Sequence, residues 1–241
     1  PDDERTRRAN QQTQARWGRG LADLPTLTLV LISPHNENIH KEYEWAFSLH
    51  HALQYGQKVR FDWRDVGGGS STIRTYLSNV YQRAQSSGID VLWGGGELNF
   101  IPLAGTGILQ PLTLNPQVLE NVPAELGGVP MYDEQWRWMG AAISSFGFIY
   151  NAGLLKRCGI EPPAKWEELG EPRFADLIVL ADPTQSGSAA AAYQMIAQSG
   201  RDWPDGWGKL LRVLANAKRF ADSAGEAANA PALGEALVAT C

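Results

Sequence analysis

Short apolar runs alternate with helix-patterned segments over the first hundred residues. The run L-T-L-V-L-I, which begins at Leu27, is nearly continuous and predicts a strand buried on both faces. Residues 58–66 read K-V-R-F-D-W-R-D-V and alternate with period two, which predicts a second strand. A third strand is predicted at I-D-V-L-W, residues 89–93, and three glycines end it.

Two helices are predicted between these strands. The first ends at Gly56, and its inward face carries Ile39, Tyr43, Ala46, Phe47 and His50. The second spans residues 72–86, and its inward face carries Ile73, Leu77, Val80 and Ala84. Alternating strands and helices favour an α/β fold whose parallel sheet has right-handed crossovers. In such sheets ligands collect at the carboxyl ends of the strands.

The rest of the chain continues the same alternation after an irregular middle. Residues 102–130 are rich in Pro, Gly and Leu and are predicted to lack regular structure. A strand is predicted over residues 141–150, followed by a helix from about Asn151 to Gly159. The run L-I-V-L-A-D, residues 177–182, predicts a buried strand, with helices after it at 188–198 and 207–216. The run R-F-A-D predicts a further strand, and Ser223 is expected to cap the last helix.

A strand, a Gly/Ser turn and a helix occur in that order twice, at residues 59–86 and 177–199. The first backbone N–H groups of a helix lack partners within the helix, and the helix dipole makes this end partly positive. Ser70 and Ser71 stand at one such end, and Ser186, Gly187 and Ser188 stand at the other. Taken alone, each serine is read more simply as a helix cap than as a ligand-binding residue. Two such ends in one chain favour an anionic or oxygen-rich ligand held between them.

Other candidate chemistry is weaker. His35 and Glu37 follow the first strand, where a metal or an anion could bind, but capping of the next helix is the alternative interpretation. His40 is five positions from His35, which is off the i,i+4 spacing of two ligands on one helix face. Neither G-x-S-x-G nor a phosphate-loop G-K-[ST] motif is found. We therefore expect no enzyme activity.

Composition and charge argue against two further classes of protein, those that bind nucleic acid and those that span a membrane. Lys plus Arg number 21 against 26 for Asp plus Glu, and a net charge of -5 argues against a nucleic-acid partner. No apolar run approaches the roughly 18 residues of a membrane span. The polar first twenty residues are expected to form a loose arm or an exposed helix. Cys158 and Cys241 are expected to be two separate buried thiols.

Taken in order, several segments carry a family resemblance. They include L-I-S-P-H-N-E-N-I-H, V-G-G-G-S-S-T-I-R, I-D-V-L-W-G-G-G, S-S-F-G-F-I-Y-N, L-A-D-P-T-Q-S-G-S and G-E-A-L-V-A-T. This series resembles the extracellular solute-binding proteins of ABC importers, in the branch usually labelled ferric-iron or phosphonate type. The resemblance extends from Leu27 to the last residues of the chain.

The resemblance implies a type II periplasmic-binding-protein fold, a two-lobed clamp in which each lobe is a mainly parallel sheet flanked by helices. After the arm at residues 1–26, residues 27–143 are expected to form the first part of lobe one. Residues 144–218 are expected to supply the hinge crossover and the first part of lobe two, and residues 219–241 to return toward lobe one. Family members continue past G-E-A-L-V-A-T, so the resemblance also implies a chain that stops before the fold is complete.

The resemblance also implies a ligand-binding set, carried over position by position. These residues are Ser33, His35, Asn36, Gly68, Gly69, Ser70, Ser71, Gly95, Gly96, Glu97, Ser144, Ser145, Thr184, Ser186, Gly187 and Ser188. Iron-binding members use a later Tyr pair with an early His and an acidic residue. His35 and Glu37 are the approximate counterparts of those early metal ligands.

The function implied is capture of a small oxyanion or phosphonate-like solute and its delivery to a membrane permease. Ferric iron, as cargo and not as a cofactor, is the alternative ligand. From another class, a phosphoester-acting enzyme or a ligand-sensing domain with the same fold are the rival interpretations. The protein is expected to be a monomer in the periplasm or outside the cell, either free or tethered to the membrane through a removed N-terminal segment.

Overall fold

A computed structural model describes residues 4–240 of the chain. These residues belong to two compact units. Unit 1 comprises Pro1–Asp65 and Ser86–Gly94, and unit 2 comprises Val66–Gln85 and Gly95–Cys241. These units divide the chain at other places than the expected lobes, whose boundaries stay a prediction.

Unit 1 is built around a three-stranded parallel sheet. Its elements are α1 (Glu4–Trp17), β1 (Thr26–Ile32), α2 (Glu37–Tyr55), β2 (Lys58–Arg64) and β3 (Val91–Leu92). The strand order is β2-β1-β3, and β1 pairs in parallel with both neighbours. The sequence prediction of three parallel strands is therefore confirmed.

Local signals set the ends of α2. The Asn36 side chain accepts hydrogen bonds from the N–H groups of Asn38 and Ile39, which gives the first turn its missing partners. Gly56 ends the helix in the left-handed conformation, with φ of 67°, which glycine adopts without a Cβ clash. The end at Gly56 lies where the sequence predicted it.

Burial in unit 1 differs from the prediction. In β1 only Leu31 and Ile32 are buried, and Leu27 remains exposed. The two buried residues are the ones that pair with β3 as well as with β2, so they lie in the interior of the sheet. The expectation of a strand buried on both faces is wrong for the first part of β1.

Helix α2 contacts aromatic side chains with one face and helix α1 with another. Tyr43 contacts the Trp93 ring and Phe47 contacts the Phe61 ring, yet both side chains remain exposed, so the predicted inward burial is wrong. Helix α1 packs on α2, where Trp17 Nε1 donates a hydrogen bond to the Ala52 carbonyl at 2.9 Å. Residues 4–17 thus take the helical alternative for the N-terminal segment and occupy the Ala52 face of α2.

Unit 2 holds most of the remaining elements. They are α3 (Ser70–Tyr81), α4 (Glu97–Gly105), α5 (Pro116–Leu119), β4 (Glu125–Leu126), β5 (Val129–Pro130), β6 (Phe148–Tyr150), α6 (Ala152–Cys158), β7 (Ile178–Ala181), α7 (Gly187–Gln198), α8 (Trp203–Ala215), β8 (Ala217–Ala221), α9 (Ala224–Leu233) and β9 (Val238–Thr240). Short 3-10 turns lie at Trp166–Gly170 and Pro172–Phe174.

The core of unit 2 lies around the four-stranded sheet β6-β9-β7-β8. Strand β7 pairs in parallel with β8 and β9, and β6 pairs antiparallel with β9. All four residues of β7 are buried, as the apolar run predicted. Ser223 caps α9 by accepting a hydrogen bond from the Glu226 N–H, which confirms that expectation.

Several predicted elements in unit 2 change in extent. The strand expected over residues 141–150 is limited to β6, because only its last three residues pair with β9. The middle is less irregular than expected, since α4, α5 and the β4–β5 pair lie within it. Helix α3 starts two residues early and ends at Tyr81, which leaves Ala84 exposed and not inward.

Two further expectations concern cysteine and the membrane. Cys158 is exposed at the end of α6, so the prediction of a buried thiol is wrong there. Cys241 lies outside the described residues. Among the residues described, none of the helices combines the length and apolar character needed to cross a bilayer.

Candidate functional site

The first turns of α3 and α7 meet within unit 2. Ser70 Oγ accepts a hydrogen bond from the Gly187 N–H at 3.0 Å. The Ser71 N–H donates to the Gln185 carbonyl at 3.1 Å. The two Gly/Ser turns, more than a hundred residues apart in sequence, are therefore direct neighbours.

Glycine makes this approach possible. A Cβ placed on Gly69 would lie 2.8 Å from the Gln185 carbonyl oxygen, and one on Gly187 would lie 2.6 Å from Ser70 Oγ. Real Cβ atoms do not approach other atoms so closely. The backbone of each turn thus fits against the other only without a side chain at these positions.

The turn before α7 is held by Asp182, at the end of β7. Its carboxylate accepts hydrogen bonds from the Thr184 N–H and hydroxyl, at 2.8 and 2.7 Å. These bonds are the main cause that lowers the pKa of Asp182 below its usual value. Ser186 Oγ accepts from the Ala189 N–H and caps α7. The hydroxyls of Thr184 and Ser186 therefore shape the turn.

A third helix start stands beside the other two. Asn99 lies in the first turn of α4, and its Nδ2 donates to the Gly95 carbonyl at 2.6 Å. The same Nδ2 lies 2.7 Å from the point that a Gly187 Cβ would occupy. Asn99 is only 3% exposed, and its Oδ1 has no partner among the described residues.

We call Ser70, Ser71, Asn99, Ser186 and Gly187 the helix-start cluster; all five residues are buried. Each of α3, α4 and α7 brings the partly positive end of its dipole and N–H groups without partners in the helix. Serine hydroxyls add small donors. Such an arrangement suits the oxygens of an anion.

Sequence reasoning missed Asn99. The signal was a polar residue three positions after three glycines, but α4 itself was not predicted because Pro102 and Gly105 lie in it. Of the neighbouring candidates, Gly96 precedes α4 with φ of 74° and Glu97 opens its first turn. Gly68 adopts φ of 68°, and Ser188 is the second residue of α7.

Ser144 and Ser145 are the expected hinge residues. Both are exposed and lie in a segment of unit 2 without regular structure. No contact given by the structure ties them to the helix-start cluster, so their ligand role stays a prediction.

The remaining candidates lie in unit 1, where they follow β1. Ser33 Oγ accepts a hydrogen bond from the His35 N–H at 3.2 Å, and Asn36 caps α2. The His35 ring packs directly on Gly94 and meets the Trp93 ring edge-on at 4.8 Å. Burial lowers the pKa of His35 below its usual value, and the neighbouring His40 lowers it further. Burial thus favours the neutral form of the His35 imidazole, through the lowered pKa.

His40 belongs to the same aromatic neighbourhood. Its ring stacks on Trp63 with centroids 3.9 Å apart, and its Nε2 is buried without a hydrogen-bond partner among the described residues. Burial is the main cause that lowers the pKa of His40, against the opposing effect of nearby carboxylates.

A metal role for His35 and Glu37 stays a prediction. The Glu37 carboxylate pairs with Lys41 Nζ at 2.8 Å, and both side chains are exposed. Within residues 4–240, no group of three or more His, Cys, Asp and Glu side chains is arranged to hold a metal ion.

Comparison with known families places residues 99–240 in one of them. These residues match the family described as "Bacterial extracellular solute-binding protein", and they make up more than half of the chain. The chain is also 27% identical over 78 residues to the phosphoglycerate transport regulatory protein PgtC of Salmonella typhimurium. That alignment covers 32% of this chain and 19% of PgtC.

Solved structures show the same fold. The periplasmic binding protein AfuA of Actinobacillus pleuropneumoniae, solved with fructose-6-phosphate bound, superimposes with a TM-score of 0.67 at 21% identity. The iron-bound HitA of Pseudomonas aeruginosa superimposes with a TM-score of 0.64 at 19% identity. The alignments cover 88% and 89% of this chain but 62% of each of those chains.

Proposed function

The chain belongs to the bacterial extracellular solute-binding protein family, and from that premise we propose that it is the substrate-binding component of an ABC importer. It captures a small solute outside the cytoplasmic membrane and delivers it to the permease, without changing it chemically. The solute is an oxyanion of phosphate or phosphonate type. The helix-start cluster is its anchoring point.

One observation carries this choice of solute. The first turns of α3 and α7 lie within hydrogen-bond distance of each other, through Ser70 Oγ and the Gly187 N–H. Two helix ends of the same polarity repel each other, and negative charge near them offsets that repulsion, which the Asp182 carboxylate does in part at the turn before α7. An oxyanion supplies that charge and accepts hydrogen bonds from both turns.

The names of two similar proteins support a phosphorylated solute. AfuA was solved with fructose-6-phosphate, and PgtC is named for phosphoglycerate transport. Both compounds are small and carry a phosphate group. In this chain the same group would meet neutral hydroxyl and backbone N–H donors.

The contacts of the serines favour binding over catalysis. Ser70 Oγ accepts from the Gly187 N–H, and Ser186 Oγ accepts from the Ala189 N–H. A serine nucleophile needs a base that takes its proton. The hydroxyl oxygens of Ser70 and Ser186 are engaged with backbone donors, which supports a binding role for these two residues.

Ferric iron is the second candidate, favoured by the neutral state of His35 and by the similarity to iron-bound HitA. Neutral imidazole is the form of histidine that binds a metal. Glu37 would have to leave Lys41 to join it.

Thermal unfolding of the protein with phosphate, methylphosphonate, sulfate, spermidine and ferric citrate tests the proposal. A ligand present at a hundred times its Kd stabilises the folded state by about 2.7 kcal/mol. For a chain of this size that raises Tm by roughly 5–10 °C. We expect the shift with phosphate or methylphosphonate. A shift with ferric citrate alone would favour the iron alternative, and a shift with spermidine alone would contradict both.

A further inference from the structure

The helix-start cluster contains one acceptor whose partner the protein does not supply. Asn99 Oδ1 is buried and has no hydrogen-bond partner among the described residues. Buried polar atoms are nearly always paired, and one that is not calls for a specific explanation. The Asn99 side chain lies in the first turn of α4, and its Nδ2 lies against Gly187, so this buried amide belongs to the candidate anion site.

The orientation of the Asn99 amide is fixed by its other half. Nδ2 donates to the Gly95 carbonyl at 2.6 Å. Exchanging the two amide atoms would put an oxygen against that carbonyl oxygen, where two acceptors repel. The atom without a partner is therefore the oxygen, and only a hydrogen-bond donor can satisfy it.

Asn99 Oδ1 needs a hydrogen-bond donor from the ligand, whereas the other groups of the helix-start cluster need acceptors. The helix starts and the serine hydroxyls favour a ligand rich in acceptors. A fully deprotonated oxyanion would satisfy those donors but would place an oxygen against Asn99 Oδ1. An oxyanion that keeps a proton on one oxygen offers acceptors to the helix starts and a donor to Asn99.

We propose that Asn99 is a specificity-determining residue that selects oxyanions carrying an O–H group, such as monohydrogen phosphate or a singly protonated phosphonate. This inference rests on the proposed function, because it concerns the same site. The solute takes the place of Ser70 Oγ as the acceptor for the Gly187 N–H. Its own hydroxyl then donates to Asn99 Oδ1.

Entry of the solute requires the first turns of α3 and α7 to move apart within unit 2, because they are in direct contact. The contacts to be exchanged are the Ser70–Gly187 and Ser71–Gln185 hydrogen bonds, both of which join the first turns of α3 and α7. The solute replaces them with bonds from the same backbone groups.

Inorganic phosphate and sulfate provide the direct comparison. Both are tetrahedral oxyanions of similar size, but at neutral pH phosphate keeps a proton and sulfate keeps none. Isothermal titration of the protein at about pH 7 is expected to give at least a tenfold lower Kd for phosphate, because a buried acceptor left unpaired disfavours the wrong ligand. In Asn99→Ala the two Kd values are expected to come within about threefold of each other.

Two further variants make the result decisive. Asn216 is another buried asparagine of unit 2 whose Nδ2 donates to backbone carbonyls, so Asn216→Ala is the control for loss of a buried amide. It should keep the preference for phosphate. Asn99→Asp keeps an acceptor of the same size and should also keep the preference, with weaker binding of both anions. If Asn99→Ala does not fold, the preference of Asn99→Asp for phosphate over sulfate is the test of the role of Asn99.

The outcomes separate this inference from the function on which it rests. Equal affinity of the wild-type protein for the two anions, or a preference that persists in Asn99→Ala, would overturn the role of Asn99 and would show that water satisfies its oxygen. Loss of the preference in Asn99→Asp would also contradict it. Binding of neither anion by the wild-type protein would instead overturn the proposed oxyanion function.

Discussion

At the scale of single residues, the polar groups of this protein derive their properties from what surrounds them. His35 is packed on Gly94 and Trp93, and burial lowers the pKa of its imidazole. Asp182 has the opposite surroundings, since the Thr184 hydroxyl and N–H stabilise its charged form. The sequence identified both positions as strand ends but contained no information on their neighbours.

Replacement of His35 should change how stability depends on pH. The folded-state pKa of His35 is below its unfolded value of about 6.5, so the unfolded chain binds the proton first as the pH falls. Wild-type stability should therefore decrease below about pH 6.5, and His35→Gln should reduce that decrease. Urea unfolding at about pH 7.5 and 5.5 measures the difference.

The matched control is His50→Gln, at an exposed position on α2. It removes a histidine from the same unit without touching the His35 pocket. An equal loss of stability on acidification in wild type and His35→Gln would show that the buried state of His35 is not what couples folding to pH.

At the scale of elements, helix ends set by a local capping residue were predictable, whereas the ends of α3 and the buried faces of the elements were not. Asn36, Gly56 and Ser223 cap their helices through backbone that is only a few residues away. The local sequence therefore contains the information that such caps need. The burial of β1 and α2 depends on which partners pack there. Tyr43 and Phe47 have the spacing of an inward face, but the residues described leave them exposed.

Some residues of the candidate site were likewise predictable from the sequence, and others were not. The two Gly/Ser turns were identified from their repeated pattern, and Ser70 and Gly187 are in contact as that pattern favoured. Asn99 was missed because its helix contains Pro102, which argues against a helix on local grounds. Strand β9 was missed too, since three residues between two strands become a strand only through their partners.

Because α3 and α7 approach closely at Gly187, the single methyl group added by Gly187→Ala should destabilise the protein. In Gly187→Ala the new Cβ would fall 2.6 Å from Ser70 Oγ and 2.7 Å from Asn99 Nδ2. Overpacking of this kind costs about 1–3 kcal/mol. We expect that loss in the free energy of unfolding, measured by urea denaturation, together with a weaker response to phosphate.

Gly208→Ala provides the comparison for this helix substitution. Gly208 lies inside α8, where the added Cβ would meet only the Arg212 guanidinium at 3.4 Å. Alanine there should be neutral or stabilise by up to about 1 kcal/mol. If Gly187→Ala behaves like Gly208→Ala, α3 and α7 do not approach as closely as described.

At the scale of the whole molecule, the order of segments is what made the fold predictable. Single motifs such as V-G-G-G-S-S-T have several interpretations, but their serial arrangement resembles one family, and residues 99–240 match it. The α/β architecture with mainly parallel sheets is confirmed. The solute is less accessible to sequence reasoning, because it depends on groups brought together from distant helices.

The central claim is that the facing turns of α3 and α7 bind a phosphate-like solute. Its most direct test is isothermal titration of phosphate into wild type and the double variant Ser70→Ala/Ser186→Ala. Loss of two hydroxyls from the site should abolish measurable binding. Ser223→Ala, which removes the cap of α9 away from the cluster, controls for the roughly 1 kcal/mol that a lost cap costs. Binding that persists undiminished in the folded double variant would contradict the account.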